Sequence, residues 1–559
     1  MPVVELLTSQ IRNSPLLLVA VVPTLLIFAC VIVYVQNASG LRSYPGPFLA
    51  NFTDAWLFWV VSRNRWSKTV DELHRKYGTF VRLAPNHVSI SDPKALPAIY
   101  GHSAGFMKSE FYDVFGPFTV SNIFTTRSRT EHARKRHMEA HMFAPQSIRA
   151  IEPISHSHVS ELLRQWDYLV SRVKEAQGVG PRQGLLGSAA WTVEDGRVWF
   201  NAMDWCNYWA FDTIGDLAFG YPFGMLKSGK DIARVAKNPE EGFKAIEKMS
   251  QGCGELSIEE EEIPYIEILS TRADGNACLG WLPRHWRTIV QRFPGSGYNS
   301  HAASGKKLAA LATMAVARRM ANLNSSGRPD MLQKLLEVRD DEGNPLKPEE
   351  LGSEVIVLIV AGSDTIANTT CGTIYYLARE KRVQARLQEE LDAALADVDS
   401  DVVPYDVVKD LPYLEAVILE GQRLHSTVGA GLPRVVPAGG ATVLGHHFKE
   451  GTCLSVPLYH LHRDESIWGP DAPEFRPERW IEASQERKKE MTAAFAPFSV
   501  GPRACIGRNL AIMQLHIIFS TLFRRYDCSL KPGAPPLQSR DSFARRPLNC
   551  VIGINRRKH

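Results

Sequence analysis

No Cys-x-x-Cys pair occurs among the nine cysteines, at 30, 206, 253, 278, 371, 453, 505, 528 and 550, and their number is odd. That excludes a zinc ribbon and argues against a disulfide framework, which places the main body in a reducing compartment. Long Lys/Arg runs are also missing, and 64 basic against 60 acidic residues leave a formal net charge of only +4. Such a balance carries no electrostatic footprint for nucleic acid, so no nucleic-acid partner is expected. Glycine fingerprints for flavin or nicotinamide are absent, so the chain brings no dinucleotide site of its own. What is there is ordinary: 559 residues, 45% hydrophobic and 22% charged, enough for a large core.

One apolar run stands out. Leu16 to Val35 reads LLLVAVVPTLLIFACVIVYV, without a charge. At 1.5 Å per residue it spans about 30 Å, a bilayer core, and membrane helices tolerate a kink of the kind Pro23 introduces. Ala38-Ser-Gly40 supplies the small residues of a signal-peptidase site. The run is longer than a signal-peptide core, however, and both Glu5 and Arg12 precede it, so a retained anchor is expected. Arg42, Arg63, Arg65 and Lys68 follow, which puts the body on the cytosolic side. The expected organisation is a short N-terminal segment 1–15, an anchor 16–35, a Pro/Gly hinge 36–48 and one domain 49–559. The hinge holds Tyr44-Pro-Gly-Pro47, a stiff turn. Beyond it, the aromatic segment Phe48–Val61 suits either a membrane interface or the core.

The chemistry is concentrated near the C-terminus, in Phe498-Ser-Val-Gly501-Pro-Arg503-Ala-Cys505-Ile-Gly507. An apolar, helix-forming run from Arg508 leaves this turn. Backbone N–H groups and a helix dipole stabilise a thiolate at Cys505. Gly501 and Gly507 permit a sharp turn and close approach to something flat, Phe498 shields the sulfur, and Arg503 suits a carboxylate. A lone cysteine at a helix start is usually inert and buried; here four other positions match as well. The loop resembles the heme-binding loop of the cytochrome P450 family, with Cys505 in the place of the thiolate that ligates iron.

Other stretches bear on that resemblance in order. Phe80–Leu83 and Val88–Ser91 flank Pro85-Asn86 as a β-hairpin. Gly101-His-Ser103-Ala-Gly105 matches the serine-hydrolase elbow, but an elbow needs a strand before it, and Pro93–Tyr100 reads as helix. In Thr130–His137, His132 and Arg136 share a helix face; the bland alternative is a solvated basic helix, and the resemblance makes the pair heme-propionate ligands. Arg134 and Lys135 point elsewhere, toward an acidic redox partner. Residues 225–300 are irregular, and the resemblance makes them a cover over the substrate entrance. Glu349–Lys381 reads as a long buried helix with Ala361-Gly362-Ser363-Asp364-Thr365 at its middle, polar groups that are costly there unless used. They resemble the family's oxygen-binding motif: Gly362 for close approach, Asp364 and Thr365 as catalytic proton relay. Ile366 stands where the family often has a second hydroxyl.

Glu420 and Arg423 share a face of a helix opened by Leu411-Pro412, which alone suggests a surface ion pair. Phe475-Arg-Pro477-Glu-Arg479-Trp480 resembles the family segment whose Arg479 completes a buried Glu–Arg–Arg cluster. Arg434 matches a further propionate position. His462-Arg-Asp464 resembles a kinase triplet without the other kinase motifs.

The resemblance implies a mainly α fold with a small β portion, heme b with an axial cysteine thiolate, and insertion of one oxygen atom from O2 into an organic substrate. Electrons then come from NADPH through a separate NADPH-cytochrome P450 reductase, with cytochrome b5 as an accessory donor. The implied location is the endoplasmic reticulum membrane, single-pass, with the catalytic domain facing the cytosol. Lys108–Asp113, Thr130–Arg136 and Phe211–Phe219 resemble the fungal benzoate 4-monooxygenase group most, which implies para-hydroxylation of a benzoate-like ring. Against that, Phe111–Thr126 contains no Lys or Arg to receive a carboxylate. A neutral aromatic, polyketide or terpenoid intermediate of secondary metabolism therefore competes. A heme-thiolate isomerase or dehydratase is disfavoured, because such relatives tend to lose the acid–Thr pair.

Overall fold

Helices dominate, as expected. The computed structural model describes residues 40–116, 120–176, 182–250, 258–292, 298–321, 330–339 and 343–557, so the anchor expected at 16–35 lies outside the described residues. Six helices position the site: α1 (Arg129–Ala140), α2 (Glu152–Ala176), α3 (Ala202–Phe219), α4 (Pro348–Arg379), α5 (Pro412–Leu424) and α6 (Arg508–Arg525). Four of the six start at a capping side chain or a first-turn proline. Ser128 caps α1 by accepting the Glu131 N–H at 3.2 Å, and Asn201 caps α3 through the Met203 N–H. Pro348 and Pro412 take first-turn positions, where a missing N–H costs nothing. Gly220, left-handed at φ 78°, ends α3.

α3 and α4 are buried along most of their length and pack together through the interior. Among the described residues, α4 alone is long and apolar enough to cross a membrane, and 72% of its most apolar stretch is buried inside the protein. It is a core helix.

A five-stranded sheet lies beside the helices, built from β1 (Phe80–Ala84), β2 (His87–Ile90), β3 (Met107–Lys108), β4 (Arg434–Val435) and β5 (Cys453–Ser455). The order is β1-β2-β5-β4-β3. β1 and β2 form the expected antiparallel hairpin, β5 joins β2 in parallel, and β4 is antiparallel to both β5 and β3. A second five-stranded sheet joins Tyr526–Ser529 and Val551–Arg556 to three strands between Arg182 and Asn201. Near the C-terminus, β6 (Gln538–Asp541) and β7 (Arg545–Leu548) form a separate antiparallel hairpin.

The aromatic segment divides its roles. Leu57, Val60 and Val61 are buried, whereas Phe48, Leu49 and Trp59 are more than half exposed. Ser103 is exposed in a turn that follows the helix Ala95–Tyr100, with no strand leading into it, so the hydrolase elbow is not formed.

Candidate active site

The turn from Phe498 to Gly507 is wound by its own backbone. Cys505 N–H donates to Phe498 O at 2.9 Å, and Ala504 N–H to Gly501 O at 3.0 Å. Gly501 has φ 76°, and a Cβ there would lie 1.9 Å from Tyr100 O, so no side chain fits. Gly507 differs. A Cβ there would meet only Phe143 at 3.7 Å and the Cys505 sulfur at 4.0 Å, so its missing side chain leaves room beside that sulfur. Arg508 lies over the ring of half-buried Phe498, 5.8 Å from its centroid. Cys505 is the one exposed cysteine among those described.

A ready-made thiolate is not what the surroundings favour. Protein packed around the other sides of Cys505 pushes its pKa up, outweighing the Gly507 N–H and the charges of Arg136 and Arg508. The loop by itself favours the protonated thiol, and a bound iron would supply the charge that removes the proton.

His132, Arg136, Arg434 and Arg503 come together as expected, from α1, β4 and the cysteine loop. Burial presses the His132 pKa down to about 3, helped by Arg503, Lys108, Arg136 and Arg434. Lys108 is the unexpected member. It lies directly opposite Arg434 in the β3–β4 register, and burial, with Arg434 and Arg503 beside it, pushes its pKa well below the ordinary lysine value. Arg434 packs over the rings of Tyr100 and Tyr112, at 5.4 and 5.9 Å, yet its buried Nη1 has no acceptor. The others reach only backbone carbonyls: Arg503 donates to Thr126 O at 2.7 Å and Ser128 O at 3.0 Å, Arg136 to Ala504 O at 2.9 Å, and Lys108 to Phe124 O. Burial and Arg434 pull the Arg503 pKa down to about 10. Among the described residues no carboxylate pairs with any of these four cations. Such a group is built to receive an anion.

On α4, Ala361 and Thr365 are exposed while Ser363, Asp364 and Ile366 beside them are buried. One narrow stripe of the core helix therefore faces open space. Thr365 Oγ1 donates back to Ala361 O at 2.8 Å. Gly362 serves packing: a Cβ there would meet Ile214 of α3 at 2.6 Å. Asp364 is held by Arg546, whose Nη2 donates to its Oδ1 at 2.8 Å.

Glu420, Arg423 and Arg479 form the expected cluster, and it is fully enclosed. Arg423 grips both Glu420 oxygens at 2.8 and 2.9 Å, and Arg479 Nε reaches Oε1 at 3.0 Å. The surface-pair alternative is removed, since both Glu420 and Arg423 are wholly buried. The expectation for Arg134 and Lys135 needs correction as well. Lys135 is fully buried and paired with Glu350 at 2.5 Å and Glu354 at 2.8 Å, while Arg134 pairs with Glu131 and Glu350. The sequence does not reveal that α4 lays its acidic first turns against this side of α1.

A cytochrome P450 family model matches residues 45–553. The chain is 38% identical over 538 residues to the benzoate 4-monooxygenase bphA of Aspergillus niger, covering 96% of both chains. It is 31% identical to the cytochrome P450 monooxygenase prhB of Penicillium brasilianum, covering 91% of this chain and 92% of that one. Against the cytochrome P450 monooxygenase ABA2 of Pyricularia oryzae it is 30% identical, covering 87% and 84%. The chain belongs to the cytochrome P450 family. It is a cytochrome P450 monooxygenase, and membership implies a heme with a cysteine thiolate ligand.

The residues of this P450 fit that group. An accessible sulfur, the space left by Gly507, and a knot of cations with an orphaned Arg434 donor match an iron porphyrin carrying carboxylates. Two neighbours of the site carry no local signal in the sequence. The pairing of Lys108 with Arg434 is a matter of strand register, and nothing in the C-terminal sequence marks Arg546 as a partner of Asp364.

Proposed function

We propose that this P450 hydroxylates a small aromatic substrate, benzoate-like and at the para position. The observation that carries this reading is 38% identity, over nearly the full length, to a benzoate 4-monooxygenase. Bound heme would supply oxygen activation; the residues supply its setting. Cys505 would hold the iron, with Gly501 fixing the turn that presents it. His132, Arg136, Arg434, Arg503 and Lys108 would neutralise the propionates. Thr365, accessible on α4, and Asp364 beside it would relay protons, and the Glu420–Arg423–Arg479 cluster would hold the frame rigid.

Electrons would arrive from NADPH through a separate reductase, because the chain has no dinucleotide fingerprint of its own. Seating at the endoplasmic reticulum membrane is supported by the apolar run at 16–35 and by exposed Phe48, Leu49, Trp59, Trp286 and Ile289. A second reading, a neutral aromatic or terpenoid substrate, is favoured by the absence of Lys and Arg from Phe111–Thr126.

The test is a product screen of the membrane-anchored protein with reductase and NADPH, against aromatic acids and neutral aromatics. para-Hydroxybenzoate formed only with NADPH is expected. Turnover of neutral aromatics alone, with no spectral response to millimolar benzoate, would transfer the assignment to the second reading.

A further inference from the structure

The hairpin β6–β7 carries more chemistry than its length suggests. Its turn is pinned at several points. Asp541 accepts Ser67 N–H at 2.7 Å and Ser67 Oγ at 2.8 Å, Ser542 Oγ donates to Asp274 at 2.6 Å, and Arg545 N–H donates to Thr427 O at 2.7 Å. Successive strand residues point to opposite faces. Arg545 accordingly turns toward Ser426 and Tyr459, and Arg546 toward Asp364 on α4.

Arg546 keeps about 15% of its side-chain surface, and its Nε–H is buried without an acceptor. It is therefore a rigidly placed, partly accessible guanidinium whose enclosed Nε–H is unanswered, next to the helix position before Thr365 and with Asp274 also nearby. Three residues earlier the same hairpin presents Phe543. Its ring lies 4.9 Å from Phe115 and 5.6 Å from Phe124, and those two stand edge-on at 5.9 Å. All three rings are only partly buried.

We propose that Arg546 is the carboxylate-binding residue of the substrate pocket, with Phe115, Phe124 and Phe543 packing on the ring. This rests on the aromatic-acid reading above and supplies the charged partner that Phe111–Thr126 lacks. A guanidinium offers a planar pair of donors that matches a carboxylate, and the phenylalanines suit an aromatic body. Holding a rigid ring by its carboxylate fixes which carbon is presented at the far end. An arriving anion also competes with Asp364 for Arg546, so substrate binding loosens the acid beside Thr365.

The experiment is a Soret difference titration of heme-loaded wild type, R546Q, R546K and D364N with benzoate and with methyl benzoate. Each variant is first checked for a wild-type reduced carbon-monoxide spectrum, and R546K keeps the site testable if R546Q does not fold. R546Q is expected to weaken benzoate at least tenfold while methyl benzoate changes less than threefold. R546K should fall between, and D364N should bind benzoate several-fold more tightly. Equal benzoate affinity in wild type and both Arg546 variants would overturn the assignment while leaving the aromatic-acid reading intact. Weaker benzoate binding in D364N would overturn the competition. A wild type that gives no benzoate response would remove the aromatic-acid reading, and this assignment with it.

Discussion

Two groups of buried arginines sit in this protein, and they differ in how their donors are spent. Around Glu420 every charge is answered. Besides Arg423 and Arg479, the carboxylate accepts Arg476 N–H at 3.0 Å and Trp480 Nε1–H at 2.9 Å. Arg423's remaining donors reach His462 O, Ala472 O and Glu474 O, and Arg479's reach Trp468 O and Asp471. Around His132 the ledger is open: Lys108 opposes Arg434, the Arg434 Nη1 has no acceptor, and no carboxylate answers the group among the described residues. A saturated cluster holds the chain together; an unsaturated one holds something else. Buried ionic groups are strongly destabilising when one partner is lost, and a surplus of one sign is tolerated where a ligand supplies the other.

Substitutions can break that contrast. The largest effect belongs to the closed cluster: E420A leaves two buried guanidiniums without their anion and should cost about 3–5 kcal/mol, read by denaturant unfolding of the apoprotein. A loss below about 1 kcal/mol would erase the distinction.

C505A should next abolish the red-shifted Soret band of the reduced carbon-monoxide complex with little change in apoprotein stability. An unchanged band would remove Cys505 as the iron ligand. R434A should leave apoprotein stability within about 1 kcal/mol, since lost packing on Tyr100 and Tyr112 is offset by relief from Lys108. Heme transfer to a scavenger should meanwhile accelerate tenfold or more. If R434A instead unfolds the apoprotein and leaves heme transfer unchanged, the open cluster is structural too.

The smallest effect sharpens the comparison at a third site, the wholly buried Glu139 on α1. Burial and the neighbouring Glu354 raise its pKa well above 4.5, despite Lys135. With a folded value above the unfolded one, its contribution is fully present below about pH 4.5 and is lost as pH rises through the folded value. E139Q should therefore flatten the decline of the apoprotein's unfolding midpoint above pH 5. An identical pH profile in both proteins would show that Glu139 does not titrate there.

The parts legible in the sequence were those set by local rules. The β1–β2 hairpin, the start of α4 at Pro348 and of α5 at Pro412, and the Gly501 turn all follow from nearby residues. Meanings assigned by helix face alone fared less well. The basic character of α1 suggests an outward Lys135, yet that side chain is enclosed by acids from the start of α4. Gly362 resembles a glycine that admits a ligand, and Ile214 of α3 occupies the space it leaves.

The sequence by itself determined the identity of the thiolate loop, the order of the motifs and the helical character of the chain, because spacing along one chain encodes turns and faces. Tertiary structure alone decided which charges stay unanswered. Strand register set Lys108 against Arg434, a C-terminal hairpin delivered Arg546 to Asp364, and packing around Cys505 raised its pKa. Each depends on distances between segments far apart in the chain, which no local pattern records.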